Sequence, residues 1–370
     1  MKRLKRNELI ERTIGPAVEF MKKIEAKGKV VIIHDDDCDG VCSAAVTGLL
    51  IKRIFDYIPK MLSTEWNVSL TEKVVAQVLK EKPTHLIFVD TPELSKTFVA
   101  KLKKHMKILI IDHHVPEKYS GVVYCNPRAY EAGLYLPASY ITYKIFEKMV
   151  ESKDVMWISA VGVLGDYGVR NCKDLFEELK LLSPELIGDA ELNNEILYEN
   201  SVVGLLTKIV DSGRVVAGKN GAEFVSKTLF KVKDYHEILD GLTGESKTLL
   251  KWNDTARKEF ERLKKDFKKS SKPIWGNVLF YEFDSKLRLK STLATSVGKS
   301  YGNKIVVIGQ RSGKYFDISL RKGKNVKVDL AMLVKRACKN IPDSLGGGHP
   351  EASGARIPAK YKDRFLKNLS

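Results

Sequence analysis

Asp35, Asp37 and Asp39 alternate with Asp36 and Cys38 and close on Gly40, crowding carboxylates into a few residues of chain. Carboxylates this close repel one another unless cations sit between them. The chemistry they suit is divalent-metal binding. A D-x-D-x-D-G stretch also serves as an EF-hand-like loop, a helix cap or a solvated acidic turn, so the pattern alone leaves these readings open. Further candidates follow: Asp90, the run Asp112-His113-His114, and Asp166. Alone, Asp90 reads equally well as a cap for the helix after it. Asp166 ends an apolar run, where an unpartnered carboxylate is costly to bury, so it is either at the surface or a ligand.

The elements that must position these residues are legible as apolar runs. Val30-Val31-Ile32-Ile33, His85-Leu86-Ile87-Phe88-Val89 and Ile108-Leu109-Ile110-Ile111 have the composition of strands buried on both faces. Each ends in an acid or an imidazole. In an open α/β sheet the carboxyl ends of the strands share one edge, where ligands bind. Three strands delivering Asp and His to that edge favour a metal site. The spacing predicts helices over residues 8–27, after Gly40, over 71–81, over Glu93 to Lys104 and over 137–150, with a short strand at 122–124 and a helix-like run over 155–165. The helix after Gly40 points its amino terminus at the acidic turn.

Residues 175–270 read as helical and offer no catalytic constellation. Within them, Leu249, Trp252, Ala256, Phe260, Leu263 and Phe267 recur at helical spacing and draw an apolar stripe, a face for packing on a neighbouring domain or, as the sharper alternative, a subunit interface in a homo-oligomer. Ser271-Lys272-Pro273 opens a last region of strand-like runs at 278–281, 304–308 and 315–320, with helices over 293–300 and 330–339. It closes on Gly346-Gly347-Gly348-His349, read as a shaped loop whose bare backbone N–H groups suit phosphate. Arg311, Ser319, Arg321, Lys322 and Lys324 are nearby cationic and hydroxyl candidates for phosphate contacts.

The charge is unevenly distributed. The chain carries +17 overall, and residues 272–370 hold 20 Lys+Arg against 7 Asp+Glu, while the first 271 hold 43 against 39. A basic terminal third on a near-neutral front suits a polyanion such as nucleic acid; a generic lysine-rich surface is the alternative. At 370 residues the chain is long enough for two to three domains. Cys38, Cys42, Cys125, Cys172 and Cys338 are scattered and odd in number, which excludes a disulfide framework and, with no completing histidine pair, a zinc site. The longest apolar stretch is too short to cross a membrane, and the expectation is a soluble cytoplasmic protein without a membrane partner.

Taken together, D-x-D-x-D-G at 35–40, Asp90 after a strand, Asp112-His113-His114, Gly165-Asp166 and the loop G-G-G-H-P-E-A-S-G resemble the DHH phosphoesterase superfamily with its C-terminal DHHA1 domain. The RecJ-like single-strand exonucleases look most similar, and Asp35, where many relatives have histidine, fits that branch. The resemblance implies an α/β fold: a parallel-sheet DHH domain over 1–190, a helical connector over 191–271 and a smaller α/β DHHA1 domain over 272–370, with the active site in the cleft between the two domains. It implies two manganese ions, with magnesium or cobalt as substitutes. Asp35, Asp37 and Asp90 would hold one, Asp39, His113 and Asp166 the other, and Asp90 would bridge. His114, with Asp112, would be catalytic at the scissile phosphate or leaving oxygen. Ser319, Arg321, Gly346, Gly347, Gly348 and His349 would bind the substrate backbone.

The activity implied is manganese-dependent hydrolysis of single-stranded DNA or RNA from an end by two-metal hydroxide attack, in DNA repair, replication or RNA turnover, with a replication or repair protein as partner. The alternative enzyme reading is a small-substrate phosphodiesterase or phosphatase acting on short oligoribonucleotides, a nucleotide bisphosphate or a cyclic dinucleotide. A non-enzymatic reading is a nucleic-acid or replisome subunit on a decayed DHH fold, which the intact acids and histidines oppose.

Overall fold

The computed structural model describes residues 5–25, 28–64, 71–92, 94–298 and 300–370. Glu93, the expected start of one helix, Ala26 and Lys27 at the expected end of another, and Lys299 within a third lie outside the described residues. The chain divides into two compact units, residues 1–253 and 254–370.

The first unit begins α1 (Arg6–Lys22), β1 (Val30–His34), α2 (Cys38–Phe55), β2 (Lys60–Ser63), α3 (Glu72–Glu81), β3 (His85–Val89), α4 (Lys96–Leu102), β4 (Lys107–Ile111) and β5 (Val123–Cys125). These strands form one all-parallel sheet in the order β2-β1-β3-β4-β5. Every residue of β1 and β3 is buried because both faces are covered. Alternation sends Val31, Ile33, Leu86 and Phe88 to α3 and α4, and Val30, Ile32, Ile87 and Val89 to a larger core. The helices α5 (Ala138–Met149) and α6 (Met156–Gly165) follow, then α7 (Lys173–Leu182), α8 (Pro184–Ile187), α9 (Asn194–Asn200), α10 (Val202–Lys231), α11 (His236–Leu239) and α12 (Gly244–Ser270). The long α10 reverses at Gly218, whose φ of 58° and ψ of −141° break the helix into two arms. The short β2, K-M-L-S, has no apolar alternation to mark it, and the sequence does not signal it.

The acidic turn is anchored by backbone geometry. Asp37 caps α2, its Oδ1 accepting from Gly40 N at 2.9 Å. A Cβ on Gly40 would sit 2.8 Å from Asp35 O, so only glycine lets the helix start this close to the loop. A Cβ on Gly165 would meet Cys38 Cβ at 2.6 Å, fixing α6 against the start of α2. The sites of Asp90 and Asp112 extend the ladder: Asp90 N donates to Ile111 O and Asp112 N to Cys125 O, both at 2.9 Å.

The second unit holds the rest of α12, then β6 (Lys272–Trp275), β7 (Val278–Phe283), α13 (Lys290–Gly298), β8 (Ile305–Ser312), β9 (Tyr315–Lys322), α14 (Leu330–Cys338), β10 (Leu345–Gly348), β11 (Ala352–Pro358) and α15 (Lys362–Lys367). Its mixed sheet runs β10-β11-β9-β8-β7-β6. The triple glycine is therefore not the loop that the sequence suggested. It is an edge strand paired antiparallel to β11, with Gly347 opposite Gly354. Glycine is required there twice: a Cβ on Gly346 would lie 2.6 Å from Cys338 Sγ, and Gly348 has φ of 134°. The apolar stripe of α12 divides between the units, Leu249 entering the first core and Phe267 packing edge-on to Tyr281 in the second.

Gly165→Ala is expected to cost about 1–3 kcal/mol by overpacking against Cys38. Calorimetry should show a lowered Tm, and a wild-type Tm would refute the close α2–α6 contact.

Candidate metal centre

At the carboxyl edge of the first sheet, Asp35, Asp39, Asp90, Asp112 and His113 are all buried. The ligand atoms of Asp39, His113 and Asp166 lie within 4.8 Å of one another, and those of Asp90, His113 and His114 do the same. The first group is the trio expected for one ion. Asp35 and Asp37 stand outside both groups, although their charges reach Asp90. Asp35 Oδ1 accepts from Asp36 N at 2.7 Å.

Asp90 is the most constrained member. Its backbone is left-handed, φ 53°, a conformation that costs a non-glycine residue about 1–3 kcal/mol and tends to mark functional sites. Both of its carboxylate oxygens are buried without a hydrogen-bond partner. Burial raises its pKa well above the usual range, and the charges of Asp37, Asp39, Asp35 and Asp166 push the same way. Asp35 is raised likewise by burial and by Asp37 and Asp36. Burial lifts Asp39 to about 7, with Asp166 adding to it, and lifts Asp166 to about 7, with Asp37 adding.

The neighbours orient these groups. Asp39 accepts from Ala138 N at 2.7 Å and Ser139 N at 2.9 Å, at the amino terminus of α5. Tyr135 Oη donates to Asp166 Oδ2 at 2.5 Å and lies 2.9 Å from the Asp166 carbonyl oxygen. His113 Nε2 is 3.2 Å from Asp90 Oδ1 and 3.5 Å from Asp166 Oδ2. Burial, then the charge of His114, lowers the His113 pKa, favouring the neutral ring that donates a lone pair to a metal. His114 differs: burial works against its charge, but Asp112, 2.8 Å from Nδ1, raises it to about 9. Asn126 Nδ2 holds the His114 carbonyl at 3.1 Å.

Divalent cations fit this donor set on the structure's own terms. A buried carboxylate that accepts no hydrogen bond, ringed by four more acids, is stable only when neutralised by protons or cations. Carboxylates with one neutral imidazole suit a hard or borderline divalent ion such as manganese.

Residues beyond the sequence candidates complete the surroundings. Arg214, on α10, binds Asp211 through Nε at 2.6 Å and Nη2 at 3.2 Å. Burial disfavours its charge, but Asp211, then Asp36 and Asp37, hold it firmly protonated. The helical middle thus does contribute to the site, and Asp36 takes part through its charge. An acid and an arginine at i,i+3 in an apolar helix was the available signal. For Tyr135, which precedes α5, no signal existed.

In the second unit the strand register brings the remaining candidates into rows. Ser319, Gly354 and Gly347 lie opposite one another, and Arg321 lies opposite Ala352. Arg321 is engaged with α13, donating to Thr295 Oγ1 at 3.0 Å and Ser291 Oγ at 3.1 Å. Arg356 shares this face and grips Asp317 at 2.7 and 2.9 Å. Lys290 is nearby; burial lowers it to about 8 against the pull of Asp317, with Arg356 and Arg321 adding to the lowering. His349 is exposed at the β10–β11 turn, its backbone exchanging hydrogen bonds with Ala352.

Comparison with known proteins agrees with both units. The model of the DHH family N-terminal domain matches residues 29–163, and that of the DHHA1 domain matches residues 277–370. The chain belongs to the DHH superfamily. In fold, this DHH protein is similar to RecJ from Thermus thermophilus in complex with Mn2+, at 12% identity and a TM-score of 0.74 over 99% of this chain and 54% of that one. It thus spans about half of that RecJ's length. It is similar to a second exonuclease RecJ bound to manganese, at 14% identity and TM-score 0.67, covering 99% of this chain and 94% of that chain. CDC45 from Entamoeba histolytica shares the fold at 11% identity and TM-score 0.57, with 98% of each chain covered. No curated protein sequence matches the chain. Among the described residues, no helix is long and apolar enough to cross a membrane.

Asp39 and Asp166 take up protons near pH 7 in the folded chain, whereas unfolded aspartates do so near pH 4. Between those values the cation-free folded state holds more protons, so its stability falls as pH rises through 7. Cation-free protein should melt at a lower temperature at pH 8 than at pH 5, and manganese should abolish the difference. An unchanged Tm across that range, or no response to manganese, would contradict the assignment.

Proposed function

We propose that this protein is a divalent-cation-dependent phosphodiesterase that releases nucleotides from an end of single-stranded DNA or RNA. The observation that carries the proposal is Asp90: a buried carboxylate that accepts no hydrogen bond and has only the imidazoles of His113 and His114 near Oδ1, at the centre of a cluster of mutually repelling acids. Asp39, His113 and Asp166 would hold one cation and Asp90 would be shared, with Asp35 and Asp37 on its other side. Bound there, two cations would acidify a water molecule and offset the charge that develops on the phosphoryl oxygens. Manganese is among the ions that suit these donors.

The chain's own groups account for the rest. Asp112, paired to its Nδ1, favours the cationic form of His114, and its side chain is 37% exposed, so it can meet an anionic phosphate and donate a proton to the departing oxygen. Asp112 holds the ring by Nδ1 and directs Nε2 outward. Arg214, paired to Asp211 beside Asp36, restrains the acidic turn from the α10 side. In the second unit, Arg321, Arg356 and Lys290 stand beside the glycine row of β10 and β11, where a sugar-phosphate backbone can approach without side-chain obstruction. The basic terminal third supports a polyanionic substrate, held through its backbone and so without regard to sequence.

His113→Ala and Asp37→Ala should each abolish manganese-dependent mononucleotide release from an end-labelled single strand, and His114→Ala should slow it about 10²–10⁴-fold with manganese affinity retained. Full activity in either of the first two variants would sink the proposal. Turnover of a dinucleotide but not of a long strand would move the protein to the small-substrate phosphodiesterases.

A further inference from the structure

The face of the second sheet that carries Arg321 continues past it. Tyr315, Asp317, Ser319 and Arg321 alternate onto one side of β9, opposite Pro358, Arg356, Gly354 and Ala352 of β11. At the far end of these rows, where β8 turns into β9 and β11 leads to α15, lies a cavity of about 400 Å³. Arg311, Lys314 and Lys360 line it with Tyr315 and Tyr361, and Asp343 is the carboxylate among its lining residues. The aromatic rings and cations are interleaved. Lys314 Nζ lies 5.2 Å and Arg356 Cζ 5.6 Å from the centre of the Tyr315 ring, and Lys360 Nζ lies 5.1 Å from that of Tyr361. Arg356, fixed by Asp317, thus bridges the middle of the face and the cavity.

We propose that this cavity is a second nucleotide subsite, which takes a base and a phosphate of the single strand and makes the protein selective for strands longer than a few nucleotides. The inference rests on the single-strand reading above. Its chemistry is that of sequence-tolerant strand binding: ring faces for stacking, worth about 1–3 kcal/mol per base, and cations for the backbone. Lys314 and Lys360 already sit near these rings, so an incoming base finds a face and an incoming phosphate finds a charge at one place. The cavity belongs to the same continuous surface as the glycine rows but not to the same subsite. Arg321 lies six residue steps from Tyr315 along β9, about 20 Å at roughly 3.3 Å per step. That is several times the rise of about 3.4 Å per nucleotide in a duplex strand, and a dinucleotide, with its single phosphodiester link, seated at the glycine rows stops short of the cavity.

The test uses the full chain and labelled single strands of 20 and 3 nucleotides, in EDTA to prevent hydrolysis, over a salt series, with AMP as the free-nucleotide probe. Arg311→Ala/Lys314→Ala and Lys360→Ala are compared with the charge-preserving Arg311→Lys/Lys314→Arg. Expected for the double alanine variant are about tenfold weaker binding of the 20-mer and a log–log salt slope shallower by about 1.4, at about 0.7 per phosphate contact. Binding of the 3-mer and manganese-dependent dinucleotide hydrolysis should stay at wild-type levels, which also reports an intact fold, and the charge-preserving variant should bind the 20-mer normally. Wild-type affinity and slope for the 20-mer in both alanine variants would overturn the subsite. So would loss of AMP binding with strand binding intact, which assigns the cavity to a free nucleotide. Failure of the wild-type protein to bind or cleave any single strand would overturn the single-strand reading itself, before any variant is compared.

Discussion

Mutual repulsion among buried carboxylates is the constraint on which the first unit depends. Asp35, Asp39, Asp90 and Asp166 are driven to raised pKa values by burial and by one another. Such an arrangement survives only if the surrounding structure holds each acid by contacts that the repulsion cannot undo. Asp90 and Asp112 are held through their backbone amides, as extensions of the β-ladder. Asp37 and Asp39 are held by amides at two helix amino termini, those of α2 and α5, where partial positive charge accumulates. Asp166 is tied down by Tyr135. The stability given up at the sheet edge is offset by the close packing of α2, α5, α6 and α10 beneath it.

The two histidines divide the electrostatic work. They are adjacent in sequence, with ring centroids 4.4 Å apart, yet their environments separate them. His113 is buried between Asp90 and Asp166 and kept neutral, which suits a ligand. His114 is paired to Asp112 and kept protonated, which suits contact with an anion. Environments that push two neighbouring titratable groups apart assign them different roles.

Much of this was legible in the chain because the governing signals are local. An apolar run with an acid at its end, or one residue past it, describes β1 and Asp35, β3 and Asp90, and β4 and Asp112 without knowledge of any contact. The trio Asp39, His113 and Asp166 follows from the family resemblance and is brought within reach in three dimensions. What was not legible depends on partners distant in sequence. Arg214 matters because α10 packs against α2, which brings its charge within reach of Asp36 and Asp37 in the acidic turn. The glycine row read as a loop because glycine weakens strands, and only packing against Cys338 and pairing with β11 explain its extended form. β2 escaped because its four residues owe their place to β1 beside them, not to a pattern of their own.

The proposed function depends on two cations that Asp90 would share at the sheet edge. Anomalous diffraction from crystals grown with manganese tests it most directly. The account predicts two anomalous peaks flanking Asp90, one also contacting Asp39, His113 and Asp166 and the other contacting Asp35 and Asp37. Anomalous density absent from this edge, or a single peak with the Asp90 carboxylate turned away from it, would contradict the account.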